Sequence, residues 1–233
     1  MIKIKNLKKV YKQVTVLDIS ELEILRNESF GLVGNNGAGK TTLFRILLDL
    51  VRATEGTVYI EDFDVSKDEN WKKRVGSYLD EHMLLSYLTP TEYFETLRKI
   101  YEMSETDLDQ HLAKFSGFFN DEILGKKKYI RDLSKGNLKK VGIAAAMMGN
   151  PQIIILDEPF ENLDPSSQVR LKKLIDAEKK ANKTTFLISS HDLTHVTEIC
   201  DRIVLLEKGK ILKDMKDSKE KMTAVLHDYF VGS

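Results

Sequence analysis

Residues 30–42 read Phe-Gly-Leu-Val-Gly-Asn-Asn-Gly-Ala-Gly-Lys-Thr-Thr, a compact apolar run followed by a glycine-rich turn and two threonines. Leu43, Phe44, Ile46, Leu47 and Leu50 follow with helical spacing, so the segment predicts strand, glycine loop and helix. Gly34-Asn35-Asn36-Gly37-Ala38-Gly39-Lys40-Thr41 fits the pattern G-x-x-x-x-G-K-[ST] in the strand-to-helix context that a phosphate-binding P-loop needs. Glycines let successive N–H groups turn inward around a polyphosphate, and the start of the next helix adds partial positive charge. Lys40 is suited to the β- and γ-phosphates, Thr41 to a Mg²⁺ ligand and Thr42 to an α-phosphate contact.

The surrounding chain fits one globular domain, with 233 residues of which 42% are hydrophobic and 31% charged. Lys plus Arg total 36 and Asp plus Glu total 36, so no general attraction to nucleic acid or to an anionic bilayer is expected. Phosphate binding must then be local. Cys200 is the only cysteine, which excludes an intrachain disulfide and suits a reducing compartment and a buried apolar thiol. No run approaches the roughly 18 apolar residues that span a bilayer. The first residues, MIKIKNLKKV, also lack a signal-peptide core.

Alternation at Ile2–Lys5, Val14–Leu17 and Leu22–Leu25 predicts short antiparallel strands, and Gly56–Ile60 a further strand. Residues of about 85–150 read as helices, with Thr89-Pro90-Thr91-Glu92 as a start signal. β-branched runs return at Ile153–Leu156 and Thr185–Ile188 around a helix at about 166–181, a pattern that argues for a parallel sheet. Ile203–Leu206 and Ile211-Leu212 flank a turn and read as a hairpin before a short charged helical tail. The fold class expected is α/β: a P-loop NTPase core with a mainly parallel sheet, an N-terminal antiparallel β subdomain and an inserted helical subdomain.

The run Ile153–Leu156 delivers Asp157 and Glu158 at its carboxyl end, where open α/β sheets bind ligands. Asp157 suits a water-mediated Mg²⁺ position, and Glu158 the orientation or deprotonation of an attacking water. Further along stand Leu133-Ser134-Lys135-Gly136-Asn137, Glu161-Asn162-Leu163-Asp164 and Ser190-His191-Asp192. Ser134 alone is a good helix N-cap.

In this order and spacing the segments resemble, over nearly the whole chain, the ATP-binding subunits of ABC transporters. The resemblance implies one ABC-type ATPase domain over 1–233, with a helical subdomain at 85–150. It places Asn35–Thr42 and Tyr11 against ATP, with Tyr11 stacking on adenine; a half-buried core tyrosine is the competing reading. Ser134 and Gly136 occupy the signature that meets ATP held by a second subunit. Asp164 matches a dimer-interface aspartate, and His191 the switch histidine; Glu158, His191 and Lys40 are the catalytic set. ATP and Mg²⁺ are the implied cofactors. The implied partners are a second ATPase subunit, in a homodimer, and a separate transmembrane permease, with membrane contact only through that permease and a location on the cytoplasmic face.

The sequence departs from the family pattern at two places. Asp80 stands where the family has a Mg²⁺-contacting glutamine, and neighbouring Glu81 has glutamine's reach; either carboxylate fits the role. Lys135 and Asn137 replace Gly and Gln of the signature, and Lys135 suits equally a nucleotide contact or an exposed helix start. Lys126–Lys128 reads as a solvated loop, and His82, His111, His195 and His227 show no trusted metal-ligand spacing. Powering an exporter is the leading expectation. A soluble single-cassette ATPase acting on an assembly partner and a small-molecule kinase are the alternatives, the kinase disfavoured by Glu158 and the signature segment.

Overall fold

The computed structural model describes residues 1–231, with side chains through Phe230. Two long strands, β1 (Ile2–Tyr11) and β2 (Val14–Ile24), pair antiparallel from Ile2 opposite Ile24 to Tyr11 opposite Val14. Val14–Leu17 and Leu22–Leu25 are therefore not separate strands, as the alternation suggested; the first and most of the second belong to β2. The cause is a phase change: Leu17 and Ile19 are buried on one count, Leu22 and Ile24 on the other, while backbone pairing runs on through Glu21. Asn6, opposite this break, has a left-handed backbone with φ +48°.

Next come β3 (Ser29–Val33), α1 (Lys40–Leu47), β4 (Glu55–Ile60), β5 (Phe63–Asp64) and β6 (Val75–Tyr78). The helical stretch that follows contains α2 (Pro90–Ile100), α3 (Glu105–Lys114), α4 (Ser116–Phe119) and α5 (Lys135–Ala146), with no strand among the described residues between β6 and β7 (Ile153–Leu156). The chain finishes with α6 (Pro165–Asn182), β8 (Thr185–Ser190), α7 (Leu193–Ile199), β9 (Arg202–Glu207), β10 (Lys210–Met215) and α8 (Lys219–Val231).

One sheet has the order β2-β1-β4-β5 and is antiparallel; the other has the order β10-β9-β3-β8-β7-β6, parallel except for the β10 hairpin at its edge. Both faces of the second sheet are covered, so β3, β7 and β8 are buried along their whole length and mostly apolar. In β7, Ile153 and Ile155 enter the core shared with α1 and the antiparallel sheet, while Ile154 and Leu156 enter the core under the other helices. Strands β8 and β9 divide their side chains in the same way.

Local chemistry sets the helix starts. Thr89 and Glu92 form a reciprocal capping box at α2, with the Glu92 carboxylate accepting from Thr89 N–H at 2.8 Å. The core of the helical stretch is aromatic: Phe94, Phe115, Phe118 and Phe119 are fully buried, and Phe115 and Phe119 stack at 5.8 Å. Truncating one of these rings to alanine is expected to cost about 3–5 kcal/mol. Cys200 is buried as expected, which pushes its thiol pKa up, and residues 126–128 are exposed.

Candidate nucleotide site

Strands β3, β6, β7 and β8 run parallel, so their carboxyl ends open on the same edge of the sheet. β3 leaves Val33 into the loop 34–39, whose exposed crest is Asn35, Asn36 and Gly37 and whose buried end is Ala38, Gly39 and Lys40. Gly39 has φ +110°, and a Cβ there would meet Leu17 Cδ2 at 2.8 Å and Val16 O at 3.0 Å. A side chain is excluded on both counts. The loop encloses a depression of about 220 Å³ reaching from Val16 to Thr42 and Glu158.

Lys40 is buried, and its ammonium donates to Gly34 O at 2.6 Å while standing 3.3 Å from Glu158 Oε1. Thr41 Oγ1 donates to Asp157 Oδ2 at 2.5 Å, and Ser189 Oγ donates to Asp157 Oδ1. Burial pushes the Asp157 pKa up, and these two hydroxyls oppose the shift. A hydroxyl and a carboxylate side by side are hard oxygen donors of the kind Mg²⁺ takes together with phosphate and water. The residues present fit that ion.

Glu158 has a left-handed backbone, φ +46°. Its N–H donates to Ser189 Oγ at 2.9 Å, and its Oε2 meets His191 Nδ1 at 2.9 Å. Oε1 is buried and accepts no hydrogen bond, although Lys40 neutralises it at ion-pair distance. A carboxylate oxygen with a free lone pair beside the loop is placed to take a proton from water.

Asp80 lies in the loop after β6. Its Oδ1 caps the turn at 81–83 by accepting from His82 N–H at 2.9 Å, and its Oδ2 stands 3.3 Å from Arg45 of α1. Asp80 and Glu81 both line a second depression of about 420 Å³ beside Thr41, Asp157 and Glu158. The structure thus brings Lys40, Thr41, Asp157, Glu158, His191 and the Asp80 loop together.

The remaining expected residues lie apart. Ser134 is exposed and caps α5, its Oγ accepting from Asn137 N–H at 3.3 Å; Ser134 and Gly136 line neither depression of their own chain. Asp164 caps α6, and hydroxyl donation from Ser166 and Ser167 holds its carboxyl well below the usual range. Tyr11 is 44% exposed, with the Lys9 ammonium 4.6 Å from its ring centre, and it joins neither hydrophobic core. Val16, not Tyr11, walls the loop depression.

Ser189, Arg45 and Lys139 escaped the sequence reading. A pair of serines closing a wholly buried strand is the available signal for Ser189, whereas Arg45 and Lys139 show their roles only through distant partners.

Residues 17–161 match the ABC transporter family. An uncharacterized ABC transporter ATP-binding protein of Nostoc sp. is 35% identical over 215 residues; the match covers 89% of this chain but 64% of the Nostoc protein, less than two thirds of its length. The lantibiotic transport ATP-binding protein SrtF of Streptococcus pyogenes is 31% identical over 229 residues, covering 98% of this chain and 96% of SrtF. The solved dimer of the ATP-binding cassette MJ0796 bound to ADP and Pi superposes with a TM-score of 0.81 at 26% identity, across 93% of this chain and 98% of that one. With the loop, the paired acids and the fold in agreement, the chain belongs to the ABC transporter family as one of its ATP-binding subunits.

Proposed function

We propose that this subunit binds Mg·ATP on residues 34–42, hydrolyses it in a dimer of two copies, and powers a separate membrane-spanning partner, an exporter, from the cytoplasmic face. The observation that carries the hydrolytic reading is Glu158 Oε1: buried, without a donor, 3.3 Å from Lys40 and next to the Thr41–Asp157 pair. Lys40 exchanges the Gly34 carbonyl for phosphate oxygens, and the 34–39 loop supplies N–H groups around them. Thr41 Oγ1 and, through water, Asp157 would hold Mg²⁺, which offsets phosphate charge when bound. Glu158 receives the proton of the attacking water, and His191 Nδ1 fixes its other oxygen. Phosphoryl transfer of this kind depends on positioning and charge more than on covalent chemistry.

Dimerisation is supported by Ser134 and Gly136, which face no depression of their own chain, and by the dimeric form of the MJ0796 cassette. In this reading residues 85–150 are a helical subdomain that presents those two residues to ATP on the other copy. The name of SrtF supports transport as the task. A groove of about 210 Å³ between β6, the 81–83 turn and helices α2 and α5 is lined by Met83, Leu97, Tyr101 and Ala145, and shares Tyr78 with the nucleotide-side depression. A helix of the membrane partner seated there would touch the segment that carries Asp80. Copurification with a multi-helix membrane protein tests this; capture of soluble partners only would favour the assembly ATPase.

Glu158→Gln keeps the shape of the side chain and removes its basicity. It is expected to bind ATP normally and to lose turnover by about 10²–10⁴-fold, the range of a general base. Hydrolysis at the unmodified rate would contradict the assignment.

A further inference from the structure

Helix α5 carries two adjacent buried lysines, Lys139 and Lys140, 8% and 4% exposed. Burying an ammonium is costly unless it is paired, so the partner of each reports what it is for. Lys140 lies over the Phe118 ring at 5.7 Å and stands 4.0 Å from Asp164. Lys139 instead donates to the main-chain carbonyl of Glu158 at 2.6 Å, with the Glu161 carboxylate 3.9 Å away. Burial lowers the Lys139 pKa, and Glu161 and Glu158 oppose the shift.

Glu158 needs such a hold. A left-handed backbone at a residue with a Cβ costs about 1–2 kcal/mol and persists only when neighbours fix it. Pro159 follows, which restricts the Glu158 main chain further and supplies no N–H to the turn. Three hydrogen bonds are the fixings: Ser189 takes the N–H, and the carbonyl accepts from Lys139 at 2.6 Å and, at the longer 3.3 Å, from Glu161 N–H within the same turn. Among the described residues Lys139 is thus the one hold on the carbonyl from outside the segment. A turn earlier on α5, Gly136 lies so close to Asn162 O that a Cβ would stand 2.8 Å from it. The 158–162 segment is thereby braced against the first turns of α5 at both ends.

We propose that Lys139 is a positioning residue for Glu158, reaching from α5 to hold the Glu158 main chain so that its carboxylate stays between Lys40 and His191. This rests on the reading of Glu158 as the base. Because α5 begins with Ser134 and Gly136, a ligand meeting that helix start would act through Lys139 on the base of the adjoining site.

The test compares Lys139→Met, Lys139→Arg and Glu158→Gln for ATPase kcat and KM, ATP binding and thermal midpoint. Methionine fills the volume without a donor, and displacement of a reacting group by about an ångström costs on the order of 10²-fold. Lys139→Met is expected to lower kcat by about 10- to 100-fold, with KM for ATP within about twofold and an unchanged melting temperature. Lys139→Arg, which keeps a donor, should recover most of kcat. Should the Met variant fail to fold, Lys139→Gln, one bond shorter and polar, is expected to show the same kcat loss in smaller measure. Unchanged kcat in Lys139→Met beside an inactive Glu158→Gln overturns the Lys139 assignment alone. So does a joint loss of kcat, affinity and stability that arginine does not rescue. Normal turnover in Glu158→Gln overturns this assignment and the reading of Glu158 together.

Discussion

At the loop end of the site, Lys40, Thr41, Asp157, Glu158 and His191 are joined by short bonds within one chain, and most of that network is out of solvent. At the start of α5, Ser134 is exposed, its hydroxyl is occupied by its own helix cap, and Gly136 rests against Asn162 O. The first half is a preformed receptacle in which one ammonium, Lys40, is set among two carboxylates, Asp157 and Glu158. The second is a polar helix end of which Lys135 lines the depression of about 420 Å³ on its own chain, while Ser134 and Gly136 line neither depression. A ligand can therefore bind to the first half unaided, while the second contributes only when something brings a ligand to it.

The sharpest way to break this contrast is to disable the receptacle. Lys40→Ala removes the ammonium aimed at the phosphates and is expected to reduce turnover by about 10²–10³-fold, the worth of one preorganised electrostatic donor. ATP binding should weaken with it, in contrast to Glu158→Gln. Retained affinity, measured with a fluorescent ATP analogue, would show that the loop does not depend on Lys40.

A smaller effect is expected at the helix start. Gly136→Val places a Cβ about 2.8 Å from Asn162 O, so α5 and the 158–162 segment must shift apart. Turnover should fall about tenfold while ATP affinity stays within about twofold. Equal losses in both would mean that the two halves are not separable.

The smallest effect belongs to a control remote from both halves. In the antiparallel sheet region the Arg26 guanidinium beside Glu61 holds that carboxyl down to about 2 from an ordinary 4.5. A depressed folded-state pKa gives stability that is present above the unfolded value and is lost as pH falls from about 4.5 towards 2. Glu61→Gln should therefore cost about 1 kcal/mol at pH 7, discounted for the exposed partner. The difference should vanish near pH 2, and ATPase activity should be unchanged. A stability difference that did not depend on pH would refute the ion-pair explanation.

Legibility in the sequence followed range. The strand, loop and helix at 30–47, the acids after Leu156 and the caps at Thr89 and Ser134 depend on neighbours a few residues away, and each was readable. The parallel sheet was readable because strands buried on both faces are mostly apolar. The sequence divides β2 in two because the phase change at Ser20-Glu21 breaks the alternation without breaking the pairing. Ser189 on Asp157, Arg45 on Asp80 and Lys139 on Glu158 join residues 32, 35 and 19 positions apart, and nothing in local composition announces such pairs. Asp80 shows the limit well: its carboxylate already serves a cap and an ion pair, two partners its alignment with glutamine did not suggest.

The central claim is that one half of the site holds nucleotide by itself and the other needs a second copy. Glu158→Gln and the double variant Glu158→Gln/Gly136→Val, each with Mg·ATP, can be followed by light scattering on a sizing column with bound nucleotide quantified. The account predicts ATP on both proteins, a dimer for the single variant and an equilibrium shifted towards monomer for the double variant. A single variant that carries ATP as a monomer, or a double variant that dimerises to the same extent as the single one, would contradict it.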